Sequence, residues 1–247
     1  MSGTVLVTGA TSGIGHAAAL ALADRGWWVA ASGRNADRGA ELAGALGERG
    51  AFLPADLTED GAPDRLVADV AGRRGRLDAL VNNAAVYDRA TVAELPTEQL
   101  DAILAADLRA PILLARAAVA RMVEQGGGVV VNVSSEAGIA AVPGQVAYNV
   151  AKAGLLMLTR SIAVDHAAEG VRAVSVCPGT TRTPLVEAAI AAASDPEAHE
   201  RSLAETRPAR RLGRVDEIAA AICFAASDEA AFMTGTELVI DGGYTAA

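Results

Sequence analysis

Apolar residues in this chain fall into short unbroken runs set between longer stretches of helical period. Residues 4–8 form a β-branched run and predict a buried strand. The run ends at once in Thr8-Gly9-Ala10-Thr11-Ser12-Gly13-Ile14-Gly15, and residues 17–23 then predict a helix of small side chains. A second apolar strand at 28–32 follows Gly26. Strand, glycine turn, helix and strand within about thirty residues make a βαβ unit, which requires parallel strands. The alternation continues. Strands are predicted at 51–54, 77–82, 128–134, 171–177 and 237–241, and helices at 64–70, 98–124 and 147–168. Leu100, Ile103, Leu104, Leu108 and Ile112 set the period of the helix over 98–124, and Ala151, Leu155, Leu158 and Ile162 that of the helix over 147–168. Near-continuous apolar strands between helices describe a sheet covered on both faces.

No linker, internal repeat or low-complexity tract interrupts this pattern, so one doubly wound α/β domain over 1–247 is the economical reading. Only 184–208 breaks the rhythm. It is rich in Ala and Glu, contains Pro196, and lies between a strand end and the next helix. Ligands bind beyond the carboxyl ends of strands in such sheets. The excursion is therefore expected to be a substrate lid within the domain, with a plain surface insertion as the alternative.

Composition and charge narrow the function classes. The 247 residues are 51% hydrophobic and 21% charged, enough for a sizeable core and unlike a disordered chain. A net charge of −9 argues against nucleic-acid binding through a basic surface. The dense basic run Arg207, Arg210, Arg211, Arg214 reads as a solvated or subunit-facing segment. Cys177 and Cys223 make no disulfide framework, and His16, His166 and His199 are too scattered for a ligand set, so no metal is expected. No apolar stretch is long enough to span a bilayer, and the N-terminal run is too short for a signal peptide. The expectation is a cytoplasmic protein without a membrane partner.

Two constellations carry chemistry. The first is the glycine loop between strand and helix. Glycines let a backbone approach a pyrophosphate, and the helix N-terminus supplies N–H donors and positive potential. The spacing Gly9-x-x-x-Gly13-x-Gly15 has a longer first gap than the ordinary dinucleotide fingerprint. In dinucleotide folds an acid at the end of the second strand binds the adenosine ribose 2′-OH. Here that stretch reads Ser32-Gly33-Arg34-Asn35, with no acid. Arg34 stands where a 2′-phosphate would sit, and its planar fork suits phosphate. NADP(H) is therefore favoured as cofactor, with NAD(H) possible.

The second is Tyr148-Asn149-Val150-Ala151-Lys152, which sets Tyr148 and Lys152 one turn apart on one helix face. A phenol is a poor acid–base at neutral pH, and an adjacent cation favours phenolate. The chain has 21 Lys and Arg residues, and Lys152 is the only lysine among them. Everywhere else arginine serves, so a compact ammonium is singled out at this position. Ser135, at the end of the valine strand, is placed to hold a substrate oxygen beside the phenol. No nucleophile elbow surrounds it, which argues against a serine hydrolase.

Taken together, these residues resemble the short-chain dehydrogenase/reductase family over essentially the whole chain. The matching pieces are the glycine loop, Asp56-Leu57, Asn82-Asn83-Ala84, Ser135, Tyr148-x-x-x-Lys152, Pro178-Gly179 and Gly235…Asp241-Gly242-Gly243. Gly144-Gln145-Val146-Ala147-Tyr148 and Phe224-Ala225-Ala226-Ser227-Asp228 are similar to the branch of 3-oxoacyl carrier-protein reductases and related ketone or sugar-alcohol dehydrogenases. The resemblance implies a single-domain Rossmann fold, a seven-stranded parallel sheet of order 3-2-1-4-5-6-7 and a homotetramer. It implies Tyr148 as acid/base, Ser135 orienting the substrate carbonyl, and Lys152 holding the nicotinamide ribose and favouring the tyrosinate. Gly9, Thr11, Ser12, Gly13, Ile14 and Gly15 would cradle the pyrophosphate. Asp56 and Leu57 would flank adenine, Asn83 and Ala84 would line the adenosine side, and Thr181 and Thr183 after Pro178-Gly179 would meet the carboxamide. Two positions depart from the family. Ala85 replaces a usual glycine, and Asp107 replaces the asparagine that is the fourth catalytic residue and is thought to hold a water linked to Lys152.

The reading is an NAD(P)-dependent oxidoreductase acting on a small ketone or secondary alcohol. The alternatives are a 3-oxoacyl carrier-protein reductase proper, a cofactor-binding protein with weak turnover because of Asp107, and a lyase or epimerase on the same fold. Glu136, Val142, Gln145, Tyr87, Leu185 and Val186 are expected to line the substrate pocket. A carrier protein would want a basic rim, which only the 207–214 cluster could supply. Pro111 lacks an N–H, so the carbonyl of Asp107 loses its helical partner. That is expected to leave Asp107 compatible with catalysis.

Overall fold

The computed structural model describes residues 3–247. Met1 and Ser2, included above in the domain and in the N-terminal run, lie outside the described residues. The elements follow in chain order as β1 (Thr4–Thr8), α1 (Gly13–Asp24), β2 (Trp28–Gly33), α2 (Ala36–Leu46), β3 (Gly50–Pro54), α3 (Ala62–Arg74), β4 (Ala79–Asn82) and α4 (Thr97–Leu104). A π-helical turn (Ala105–Arg109) leads into α5 (Ala110–Glu124). Then come β5 (Gly128–Val133), α6 (Val146–His166), β6 (Val171–Pro178), β7 (Thr181–Arg182), α7 (Pro184–Ala191) and α8 (Pro196–Glu205). The chain closes with β8 (Gly213–Arg214), α9 (Val215–Ala226) and β9 (Thr236–Ile240).

Seven parallel strands form one sheet in the order β3-β2-β1-β4-β5-β6-β9. This is the expected order. The seventh principal strand is β9 because the short ribbon β7–β8 intervenes in the chain. The pleat divides each strand between two cores. Val5 and Val7 of β1 face the layer of α1 and α9, and Leu6 between them faces that of α3 and α5. The order reverses between β1 and β4, and a crevice opens at their carboxyl ends, where such sheets bind ligands.

Two local features depart from the pattern read along the chain. Helix α2 was not expected. Asn35 caps it by accepting from the Arg38 N–H, and Gly39, Leu42 and Leu46 form its buried stripe. The helix expected over 98–124 is not uniform. The Ala110 N–H reaches back five residues to the Ala105 carbonyl, and the widened turn inserts an extra residue just before Pro111.

Candidate active site

The loop after β1 is held open from behind. The Thr8 hydroxyl donates to the Val81 carbonyl and accepts from the Asn83 and Ala84 N–H groups. The Asn83 amide donates to the Thr8 and Gly9 carbonyls. A Cβ on Gly9 would come within 2.7 Å of Ala84 Cα, and one on Gly15 within 2.4 Å of the Gly9 carbonyl oxygen. Gly9 and Gly13 also adopt positive φ, at 64° and 55°. Ser12 starts α1 in extended conformation without a side-chain cap, so the first N–H groups of the helix stay available to an anion. A Cβ on Gly13 would meet Thr183 at 3.3 Å, which brings the start of α7 over this loop.

The loop and the end of β2 fit a dinucleotide. Ser32 Oγ is buried with no hydrogen-bond partner among the described residues, and Gly33 packs so close to Thr11 that a Cβ would sit 2.9 Å away. Arg34 is exposed beside them. Asp56 accepts from the Thr58 hydroxyl and N–H, which hold its carboxyl below the usual range, aided by the field of Arg34. Leu57 packs against the core behind it. Thr181 is buried and donates to the Gly179 carbonyl, whereas Thr183 keeps an open face and caps α7. Ala85 is exposed on the loop after β4.

The second constellation assembles where β5, α6 and the π turn meet. Ser135 Oγ accepts from the Ala137 N–H at 3.1 Å, which leaves the hydroxyl proton free to donate. Lys152 Nζ lies 5.3 Å from the Tyr148 ring centroid, donates to the Val133 carbonyl at 3.3 Å and faces Asp107 Oδ2 at 3.5 Å. Asp107 Oδ1 accepts from the Val86 N–H at 2.7 Å. Burial pushes the Asp107 carboxyl up, against the pull of Lys152 and the Val86 N–H. Tyr87 packs edge-on to Tyr148 with centroids 5.4 Å apart, and burial raises its phenol. Tyr148, Lys152 and Asp107 are thus brought together, and Ser135 follows two residues after Val133, whose carbonyl Lys152 reaches.

Beneath the site, Asn82 of the matching Asn82-Asn83-Ala84 run joins residues that the sequence reading did not single out. Asn82 donates to Asn132 and to the Pro111 carbonyl. Asn132 donates in turn to Thr159, whose hydroxyl lies 2.7 Å from Ser175. This buried polar chain crosses β4, β5 and β6 beneath the site. Two expectations need correction. Arg207 is not a solvated member of a basic run; its side chain is buried against Glu136 at 2.5 Å. Glu136 is consequently a buried partner, not an open wall of the pocket. The segment is held against the C-terminal tail: the Ala209 N–H donates to the Gly242 carbonyl, and Gly243 packs so close to Pro208 that a Cβ would come within 2.9 Å.

The likeness to known proteins spans the same length. A family model described as enoyl-(acyl carrier protein) reductase matches residues 9–245. A Thermotoga maritima protein described as an uncharacterized oxidoreductase is 44% identical, covering 98% of this chain and 97% of that one. The 2-(R)-hydroxypropyl-CoM dehydrogenase of Xanthobacter autotrophicus is 36% identical over the full length of both chains. A solved structure described as a short chain dehydrogenase/reductase family protein superposes with a TM-score of 0.89 at 37% identity, covering 99% of this chain and 97% of that one. With these matches spanning nearly the whole chain, the chain belongs to the short-chain dehydrogenase/reductase family.

Proposed function

We propose that this chain is an NAD(P)-dependent oxidoreductase that interconverts a neutral, medium-sized secondary alcohol and its ketone. The observation that carries the reading is the chain's sole lysine, buried beside the Tyr148 ring. A bound nicotinamide supplies or accepts the hydride. Tyr148 gives its proton to the carbonyl oxygen in reduction and takes one back in oxidation. Ser135, its lone pair engaged by Ala137, donates to the same oxygen. Lys152 directs one N–H at Val133 and one towards Asp107, and the third serves the phenol and the ribose.

The cofactor would lie along Gly9, Thr11, Ser12, Gly13, Ile14 and Gly15, with Arg34 favouring NADP(H). Asp56, Leu57, Asn83, Ala84, Pro178, Gly179, Thr181 and Thr183 complete its cradle. Helices α7 and α8 act as the lid. Exposed Tyr87, Ile139 and Leu185 sit on the segments after β4, β5 and β6 and give the cleft an apolar mouth. Glu136 adds no free charge there, because Arg207 neutralises it. A carrier-protein substrate is disfavoured, since Arg211 and Arg214 are engaged by Glu217 and Asp216. A homotetramer is supported by the exposed stripe Val150, Met157 and Val164, spaced seven apart along α6. No described helix is long and apolar enough to cross a membrane, and we assign the protein to the cytoplasm. The test is a panel of ketones and alcohols assayed with NADPH and NADH in both directions. Nucleotide binding without oxidation or reduction of any member would favour the second reading, a cofactor-binding protein weakened by the buried Asp107.

A further inference from the structure

Arg207 gathers side chains and backbone from several segments that border the site. Nη2 donates to Glu136 Oε1 and to Thr180 Oγ1, both at 2.5 Å. Nη1 donates to the Leu203 carbonyl at 2.6 Å and to Thr206 Oγ1 at 2.7 Å. The guanidinium lies 5.3 Å from the Tyr244 ring centroid. Four segments therefore converge on one planar group: the turn after β5, the loop after β6, the end of α8 and the C-terminal tail. Glu136 directly follows Ser135 and opens the short turn Glu136–Gly138, whose Ala137 N–H engages Ser135 Oγ. Its second carboxylate oxygen lies beside Gly179, where an added Cβ would come within 2.8 Å of it.

We infer that Arg207 is a positioning residue: through Glu136 it fixes the turn that aims Ser135, and through Leu203 and Thr206 it anchors the end of the proposed lid. This rests on the dehydrogenase reading above for the role of Ser135. A buried ion pair is weak evidence for stability alone, because apolar residues of like volume often serve as well. What an apolar pair cannot supply is the planar fork that meets four acceptors in fixed directions. Glu136 and Arg207 are 71 positions apart, so the pair ties two catalytic edges of the cleft that no element of secondary structure joins.

The test compares Arg207→Lys, which keeps a charge opposite Glu136 but loses the fork, with the double variant Glu136→Leu/Arg207→Met, which removes both charges. For Arg207→Lys, kcat on the best panel substrate is expected to fall between about tenfold and a hundredfold, the scale of ångström-level misplacement. NADPH is expected still to bind, read by fluorescence titration, with an affinity reduced far less than kcat, since the pair borders the proposed cofactor cradle only at Gly179 and Thr180. Hydrogen exchange is expected to quicken over 136–138 and 184–206. The double variant is expected to recover the parent's thermal midpoint but not its kcat. Recovery of kcat together with the midpoint would show a structural role only and overturn the inference. So would unchanged exchange over 136–138 in a folded Arg207→Lys protein. A parent chain inactive on the whole panel would count against the dehydrogenase reading, while the exchange pattern still decides the role of Arg207.

Discussion

Lys152 Nζ faces Asp107 Oδ2 across 3.5 Å, and both side chains are almost wholly removed from solvent. The only lysine of the chain is thus paired with one of the two residues that depart from the family pattern. Burial raises the Asp107 carboxyl, while Lys152 and the Val86 N–H pull it down. The carboxylate partly cancels the ammonium's field at Tyr148. Removing it leaves the ammonium's field at the phenol uncancelled. Asp107→Asn is therefore expected to keep kcat within about tenfold of the parent and to move the pH–rate profile to lower pH. A shift to higher pH would refute this account.

The same residue sets a stability trend. A carboxyl with a raised folded pKa gives the native state extra proton affinity, so its contribution is present in acid and is lost as pH rises through the raised value. Asparagine resembles the protonated acid at every pH. The thermal midpoint of Asp107→Asn minus that of the parent should grow more positive as pH rises from about 4 into the neutral range. A difference that stays flat would mean that Lys152 fully compensates the buried carboxylate.

Lys152→Arg is expected to lower kcat by about 10²–10⁴-fold, the range for lost acid–base assistance, with the fold retained. A guanidinium has no room to direct separate donors at Val133, Asp107 and the phenol from that buried point. A rate within a few fold of the parent, in a protein with unchanged circular dichroism, would remove Lys152 from the mechanism.

NADPH is expected to be preferred over NADH, and Arg34→Ala to erase most of the preference. A charge-assisted contact contributes roughly 1.5–3 kcal/mol, or about ten- to a hundredfold in affinity. Equal Michaelis constants for the two cofactors in the parent would overturn the assignment. Arg34 is exposed and its field already reaches Asp56, so the guanidinium stands at the surface, where the adenosine is proposed to lie, rather than inside the core.

Assembly can be tested separately from turnover. Val150, Met157 and Val164 line one solvent face of α6, with Val164 84% exposed. Met157→Glu puts a charge in the middle of that stripe. Sedimentation is expected to show a smaller species than the parent. A parent that sediments as a monomer would instead leave the stripe without a partner copy.

A parallel sheet covered on both faces could be read from the chain because continuous apolar strands and glycine turns are local signals. The Tyr148–Lys152 pair was readable for the same reason, being one helical turn. The strand order came only with the family resemblance. What escaped was either faint or distant in sequence. Helix α2 is short, with two glycines and three charges among its alanines, and only Asn35 and the spacing of Gly39, Leu42 and Leu46 announce it. The polar chain of Asn82, Asn132, Thr159 and Ser175 had a signal, since Asn132 interrupts a run of valines, but its partners lie on other elements. The Glu136–Arg207 pair had none, because nothing local tells a buried arginine from three exposed neighbours in the same basic run.

The π turn is where sequence and site meet most directly. Pro111 has no N–H, so it cannot donate to the Asp107 carbonyl four residues earlier, and the ring crowds the turn before it. The chain answers by widening: the Ala110 N–H bonds five residues back to Ala105, and Asp107 sits inside the widened turn with its carboxylate against Val86 and Lys152. Asn82 then holds the Pro111 carbonyl from the strand side. Alanine at 111 would restore a donor aimed at the 107 carbonyl and let an ordinary turn reform. Closing the turn would rotate residue 107 away from its two partners whatever its side chain. Pro111→Ala is therefore expected to lower kcat more than Asp107→Asn does, while helix content and cofactor binding stay close to the parent. Side-by-side kinetics of the two variants decide the matter. The reverse ranking would mean that the carboxylate itself, and not the backbone that presents it, is what the site requires.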